Sequence, residues 1–336
     1  MKPVNVGIIG LGRLGMVHAK DLMFNIPEAN LTAACSVIDA ELDQVKQWGG
    51  VSLFNDYHKM LSEADIDAVF IVSPSSEHAQ QIKDALAAGK HVFSEKPMGV
   101  TVEECLDVEK AVAAHPGQKF QLGFMRRFDP SYAEAKKKVD AGEIGKVFLI
   151  KSTSNDPIST VDSFLEYAPR SGGPWLDMSV HDIDLAHWFM GDDIETIYAI
   201  GDGYIYPQLR DCNCADNACA LMKFKNGGIA QMHVGYTSPH GYQVETEIFG
   251  DKANLRISAV PAKDRIQIYA PAGVTVECDP YWPVRFKDAF LLEKKDFIAC
   301  INEDRTPLVG AKDGTRTTRV AFAATEAFNT GELIRL

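Results

Sequence analysis

The sequence predicts two domains of different class. The first is an α/β domain with a doubly wound parallel sheet, the second an α+β domain with a large, mostly antiparallel sheet. Three observations carry this expectation. Up to residue 123, near-continuous apolar strands alternate with amphipathic helices, the pattern of parallel strands covered on both faces. Beyond that point the strands lengthen and alternate apolar with polar side chains, as half-buried antiparallel strands do. A chain of 336 residues is also long enough to bury two cores. The division is therefore expected at 1–123 and 124–336.

Taken in order, the strand Val4-Asn5-Val6-Gly7-Ile8-Ile9 runs directly into Gly10-Leu11-Gly12-Arg13-Leu14-Gly15, followed by a helix-compatible stretch. A Gly-x-Gly-x-x-Gly turn between strand and helix is the context of a Rossmann dinucleotide loop, the alternative being an ordinary glycine turn. Gly10 would permit the tight turn, Gly12 the approach of a pyrophosphate, and Gly15 close packing of helix on strand. Residues 31–37 read as a second strand, 40–48 as a helix ended by Gly49-Gly50, and 67–74 as a third strand with a polar end. A helix at 77–88, a strand at 90–94, a helix at 101–114 opened by Thr101-x-x-Glu104, and a strand at 120–124 complete this half.

The second half opens with a helix at 131–141, and strands are expected at 147–154, 194–201, 218–225, 229–236, 243–250, 253–258 and 265–269. Asn226-Gly227-Gly228 is hairpin chemistry. Helices are expected from Pro174 to the stop at Gly191, at 286–302 and at 315–330.

The net charge of −12 argues against a nucleic-acid partner and gives no reason to expect a membrane surface. No apolar run approaches the ~18 residues of a spanning helix, and no secretory leader opens the chain. Seven cysteines, an odd number, suggest reduced thiols and a cytoplasmic location. Cys212, Cys214 and Cys219 lack the second pair of a metal site, so no metal is expected.

Chemistry concentrates in three stretches. Ser94-Glu95-Lys96-Pro97 follows a parallel strand, which aims a carboxylate and an ammonium at the crevice where ligands of doubly wound sheets bind. Ser73, Pro74 and His78 should line the same crevice. The competing reading of Glu-Lys-Pro is a turn with a solvated ion pair. In the second stretch, Asp177 and His181 stand at i and i+4 of one expected helix, with Asp184 at i+7. That spacing suits a carboxylate orienting a general base, a solvated helix face, or ligands of a divalent metal. The third stretch, Gly123-Phe124-Met125-Arg126-Arg127, puts arginines at the last strand end, for a polyol or a phosphate, or simply on a domain-junction surface.

Together these stretches, with Gly172-Gly173 leading to Asp177-x-x-x-His181-Asp182-Ile183-Asp184, resemble the glucose–fructose oxidoreductase and inositol dehydrogenase family, Gfo/Idh/MocA, over nearly the whole chain. The Phe-Met-Arg-Arg stretch leans toward its inositol 2-dehydrogenases. The resemblance implies oxidation of a secondary hydroxyl of a cyclic polyol, myo- or scyllo-inositol, with hydride transfer to nicotinamide. An aldose dehydrogenase and a non-catalytic NAD-binding regulator are the alternatives. It implies that Lys96, Asp177 and His181 are catalytic. His181 would take the hydroxyl proton, Asp177 would orient His181, and Lys96 would stabilise the developing alkoxide. It further implies substrate contacts at Arg126, Asp156 and His240, and cofactor contacts at Gly10, Gly12, Arg13, Leu14 and Ser36. Ser73, Pro74, His78, Glu95, Lys96 and Met125 complete that cofactor set, and the family's homotetramer uses the open sheet of the second domain.

The chain departs from the pattern at four pocket positions. Ser154 stands where the inositol enzymes often carry histidine, Asp156 where they carry asparagine, and Phe290 and His240 where they carry tyrosine. Ser36 stands at the end of the second strand in place of an acid, with Asp39 three residues on. The absence of a basic residue at Val37, Ile38 and Asp39 favours NAD over NADP.

Overall fold

The computed structural model describes residues 3–257 and 262–336. They form two compact units, one of residues up to 128 with 288–318 and the other of residues 129–287 with 319–336.

In the first unit β1 (Val4–Ile9), α1 (Arg13–Phe24), β2 (Ala29–Cys35), α2 (Asp39–Lys46), β3 (Ser52–Phe54) and α3 (Tyr57–Glu63) follow one another. β4 (Ala68–Ile71), α4 (Ser75–Ala87), β5 (His91–Glu95), α5 (Val102–Ala114) and β6 (Phe120–Gly123) complete the sheet. Its order is β3-β2-β1-β4-β5-β6 and every neighbouring pair is parallel. The order reverses between β1 and β4, the switch point beside which such sheets bind ligands. β1 and β4 are buried throughout, which is why they read as apolar runs. β3 and α3 were not expected. Three half-exposed residues on a sheet edge carry no periodicity to read.

The second unit contains α6 (Pro130–Asp140), β7 (Val147–Pro157), α7 (Val161–Tyr167), α8 (Gly173–Asp177) and α9 (Val180–Met190). β8 (Ile194–Asp202), β9 (Asn217–Phe224), β10 (Ile229–Ser238), β11 (Gln243–Gly250) and β12 (Asn254–Ile257) follow, then the ribbon of β13 (Ala262–Ala270) and β14 (Gly273–Cys278). Ser258, expected to end a strand, lies outside the described residues. The chain closes with α10 (Trp282–Arg285), α11 (Lys287–Asn302), α12 (Ala311–Thr330) and β15 (Ile334–Arg335). The large sheet has seven strands in the order β12-β11-β7-β10-β9-β8-β15. β7 and β10 pair in parallel and the other neighbours are antiparallel.

Two expectations are corrected. Residues 288–318 belong with the first unit and not with the second, because the apolar stripe of α11 is part of the first core. Phe297 and Ile298 pack there with Val6, Ile8, Phe70 and Phe93. The helix expected from Pro174 to Gly191 is broken at Met178-Ser179 into α8 and α9. The Pro174 carbonyl accepts from both Met178 N (3.3 Å) and Ser179 N (3.0 Å), which widens the last turn of α8. Asp177 and His181 therefore lie on two helices, and the i, i+4 argument does not describe them. No helix among the described residues is long and apolar enough to cross a membrane.

Candidate active site

The glycine turn has the shape a dinucleotide needs. Gly10 sits at φ 90°, and a Cβ there would lie 2.6 Å from the Ser73 amide nitrogen and the Val72 carbonyl oxygen. At Gly15 a Cβ would overlap the Gly10 carbonyl, so helix and turn pack without a side chain between them. Gly12 begins α1 with no side-chain cap, no acid occupies the first turn, and space opens before its Cα. Backbone N–H groups at an uncapped helix start beside open space fit a pyrophosphate. Arg13 is exposed and Leu14 half-buried at that start.

At the end of β2, Ser36 is buried and does not present its hydroxyl to solvent. Its Oγ donates to Glu41 Oε2 at 2.5 Å and accepts from Ile38 N at 3.1 Å. A carboxylate from α2 is thus bonded to the residue at this strand end, and Asp39 is exposed.

The loops after β4 and β5 are tied together by His78, which is buried and has its two ring nitrogens 2.8 Å from the carbonyls of Pro97 and Ser73. Burial pushes the His78 pKa down, against the pull of those carbonyls. Its ring fixes the two loops whose ends were expected to line the crevice. Ser73 Oγ donates to Gln81 Oε1 at 2.6 Å, and Pro74 caps α4.

Glu95 is buried as well. One carboxylate oxygen accepts from His18 Nε2 at 2.8 Å and the other from the Lys96 amide at 3.2 Å. Lys294 Nζ donates to His18 Nδ1 at 2.9 Å and pairs with Asp21 at 3.1 Å. Gly123 leaves room for the carboxylate: a Cβ there would come within 3.1 Å of Glu95 Oε2. Burial, then the charge of Lys294, lowers the His18 pKa, so the ring is neutral and carries its proton on Nε2. Burial works against the charge of Glu95, but the His18 bond and nearby Lys96 outweigh it and hold the carboxyl below its ordinary range. Glu293 lies in the same pocket, fully buried, with no hydrogen-bond partner for either carboxyl oxygen among the described residues. Burial, with Glu95 beside it, raises its pKa well above the ordinary value. Lys96 is half-buried at the strand end, while Met125 and Arg126 are buried in the turn after β6. Arg127 pairs with Asp313 at 2.9 Å.

In the second unit Asp177 ends α8, half-buried, and its Oδ2 accepts from Tyr236 Oη at 3.3 Å. Tyr236 is buried under a stacked Phe164. Burial, followed by the charge of Asp177, raises its pKa far above the ordinary value, so it remains a donor. His181 is buried in the first turn of α9. Next to it, Asp182 accepts from Ser154 Oγ at 2.7 Å. Asp156 is half-buried near the end of β7. His240 is exposed at the mouth of an open cavity of about 500 Å³, which Ser159, Lys263 and Cys278 also line.

Two family models match the chain. An oxidoreductase-family NAD-binding Rossmann domain covers residues 4–124, and a GFO/IDH/MocA C-terminal domain covers residues 132–256. The chain belongs to the Gfo/Idh/MocA oxidoreductase family. It is 33% identical to scyllo-inositol 2-dehydrogenase (NAD+) of Bacillus subtilis over 99% of this chain and 96% of that one. Myo-inositol 2-dehydrogenase of Thermotoga maritima is 29% identical over 99% and 98% of the two chains. A crystal structure of scyllo-inositol dehydrogenase from Lactobacillus casei with bound NAD(H) and scyllo-inositol superposes with a TM-score of 0.97, at 44% identity over 99% of both chains.

Against this Gfo/Idh/MocA background, sequence reasoning missed His18, Lys294 and Glu293 around Glu95, and Tyr236 beside Asp177. One signal was present for the first group. Phe290, Glu293, Lys294, Phe297 and Ile298 repeat at helical spacing, so two charges interrupt an apolar stripe. Phe290 turns out to set its ring edge against His18, 5.9 Å between centroids. Tyr236 gave no signal, being one inward residue of an alternating strand.

Proposed function

We propose that the chain is an NAD-dependent inositol 2-dehydrogenase that oxidises one ring hydroxyl of scyllo-inositol, with myo-inositol as the second candidate. The likeness to the scyllo-inositol dehydrogenase of L. casei over 99% of both chains carries this reading, and the glycine turn shaped for a pyrophosphate supports it. Bound NAD supplies the acceptor for the hydride that leaves the carbinol carbon. His181 takes the hydroxyl proton. Asp177, held by the Tyr236 hydroxyl, orients His181 and stabilises its positive charge. Lys96 stabilises the developing alkoxide, and the buried Glu95 network fixes the backbone from which it projects. Arg126, Asp156 and His240 hold the remaining ring hydroxyls, whose stereochemistry decides which isomer leaves no polar group unpaired.

The same reading takes the enzyme to be a cytoplasmic homotetramer. Supporting it, all seven cysteines are free. Tyr198, Ile200, Leu221 and Ile229 are exposed on one face of the seven-stranded sheet, an apolar surface that a second copy would cover. The test is absorbance of reduced nicotinamide with NAD or NADP and a panel of cyclitols and aldoses. Signal growth with scyllo-inositol is expected. Growth with aldoses alone replaces the substrate, and silence with intact NAD binding favours a regulator.

A further inference from the structure

The carboxylate of Glu41 is held in a way that its own helix does not require. Ser36 ends β2 and is buried, yet its hydroxyl makes a 2.5 Å bond to Glu41 Oε2, in the range of a strong charge-assisted pair. The Ile38 amide donates to the same hydroxyl at 3.1 Å and fixes its proton toward the carboxylate. With Oε2 engaged, Oε1 is the oxygen turned to the glycine turn, 4.0 Å from where a Cβ on Gly12 would stand. Apart from the glycine's chain neighbours, nothing else among the described residues lies within that distance of the position, so the carboxylate borders the open space at the start of α1. Residues 36–41 carry no cation, and Val37 and Ile38 are exposed and apolar. An anchored, half-buried carboxylate there accepts a hydrogen bond from a ribose hydroxyl and repels a phosphate ester at the same place.

We propose that Glu41, positioned by Ser36, reads the adenosine ribose of the dinucleotide and sets the preference for a free 2′-hydroxyl. This rests on the NAD-binding reading of the glycine turn. Asp39, the acid nearer the strand end, is exposed and has no such anchor among the described residues.

Binding of NADH and of NADPH to the purified protein, each followed by nicotinamide fluorescence without substrate, tests the proposal. For the unaltered protein NADH should bind more tightly than NADPH by about 30-fold or more, the size of one charged hydrogen bond gained and one repulsion avoided. Glu41→Gln should reduce that ratio by about tenfold or more, Ser36→Ala by about threefold, and the double variant no further than Glu41→Gln alone, because Ser36 acts through Glu41. Asp39→Asn should leave the ratio unchanged. A Glu41→Gln protein that binds NADH with the unaltered ratio overturns the proposal, as does a ratio that moves with Asp39→Asn instead. Failure of the unaltered protein to bind either dinucleotide overturns it by a different route, through the glycine turn itself.

Discussion

Glu95 and Asp177 are both carboxylates expected at the site, the first as a cofactor contact and the second as the partner of a general base, and the molecule treats them differently. Glu95 is buried, with each oxygen bonded, and stands at the end of a chain running from Asp21 through Lys294 and His18. Asp177 is half-buried at the end of α8 and accepts from Tyr236 Oη at 3.3 Å. A charge wrapped on every side is fixed in place and in protonation state, because moving it leaves its partners uncompensated in a medium where that is costly. A half-buried carboxylate keeps part of its hydration and can adjust as the charge beside it changes. Glu95 thus suits holding the Lys96 backbone, and a half-buried Asp177 is compatible with the proposed role of answering a proton gained by His181.

The largest effect that would break this contrast belongs to Lys96 itself. Lys96→Ala should lower kcat by about 10³-fold, the scale of losing a positioned donor to a developing oxyanion, while NADH affinity stays within about threefold. Normal turnover in that variant would remove Lys96 from the chemistry and leave Glu95 positioning nothing.

Next in size is the buried lysine. Lys294→Met should destabilise the protein by about 3 kcal/mol, since Asp21 and the His18–Glu95 pair lose their cation. Denaturant unfolding measures this, and a change under about 1 kcal/mol would show the network to be dispensable. The network also predicts opposed pH dependences. The folded-state pKa of His18 lies below its unfolded value, so its share of stability is whole above about pH 6.5 and is lost as pH falls from there through the folded value. Glu293 is raised, so its share is whole below about pH 4.5 and is lost as pH rises toward the folded value. Glu293→Gln deletes the second dependence. Relative to the unaltered protein, the variant should gain stability by up to about 1.4 kcal/mol per pH unit as pH rises through that window. A difference that stays flat from pH 5 to about pH 8 would mean that Glu293 does not hold its proton.

How far the sequence disclosed these regions follows from how local their causes are. The strands on either side of the switch point, β1 and β4, were legible because burial on both faces writes an apolar run into consecutive residues. The glycine turn was legible because two of its glycines answer local clashes, Gly10 with Val72 and Ser73 and Gly15 with the Gly10 carbonyl, while Gly12 leaves open space at the helix start. The Glu95 network was not, since its bonds join positions 77 and 276 residues apart. The break between α8 and α9 was hidden for another reason: Pro174 fits the first turn of a long helix and of a short one equally well, and the doubly used carbonyl leaves no mark on composition. Ser36 misled for a third. The residue at the strand end was read by its own chemistry, whereas the structure uses it to hold a carboxylate five positions on.

The smallest effect sharpens the other side of the comparison. Tyr236→Phe removes the hydroxyl from Asp177 and keeps the ring stacked on Phe164, so stability should fall by only about 1 kcal/mol. If Asp177 answers to the charge of His181, losing that donor concentrates the carboxylate's charge on the imidazole. The apparent pKa that limits kcat on the acid side should then rise, by up to about one unit, with kcat at the plateau reduced about threefold. The upward shift is the informative part. A tyrosine that merely packs against α8 would lower activity or stability and leave the pH profile where it was, and Asp177 would then be as rigidly held as Glu95.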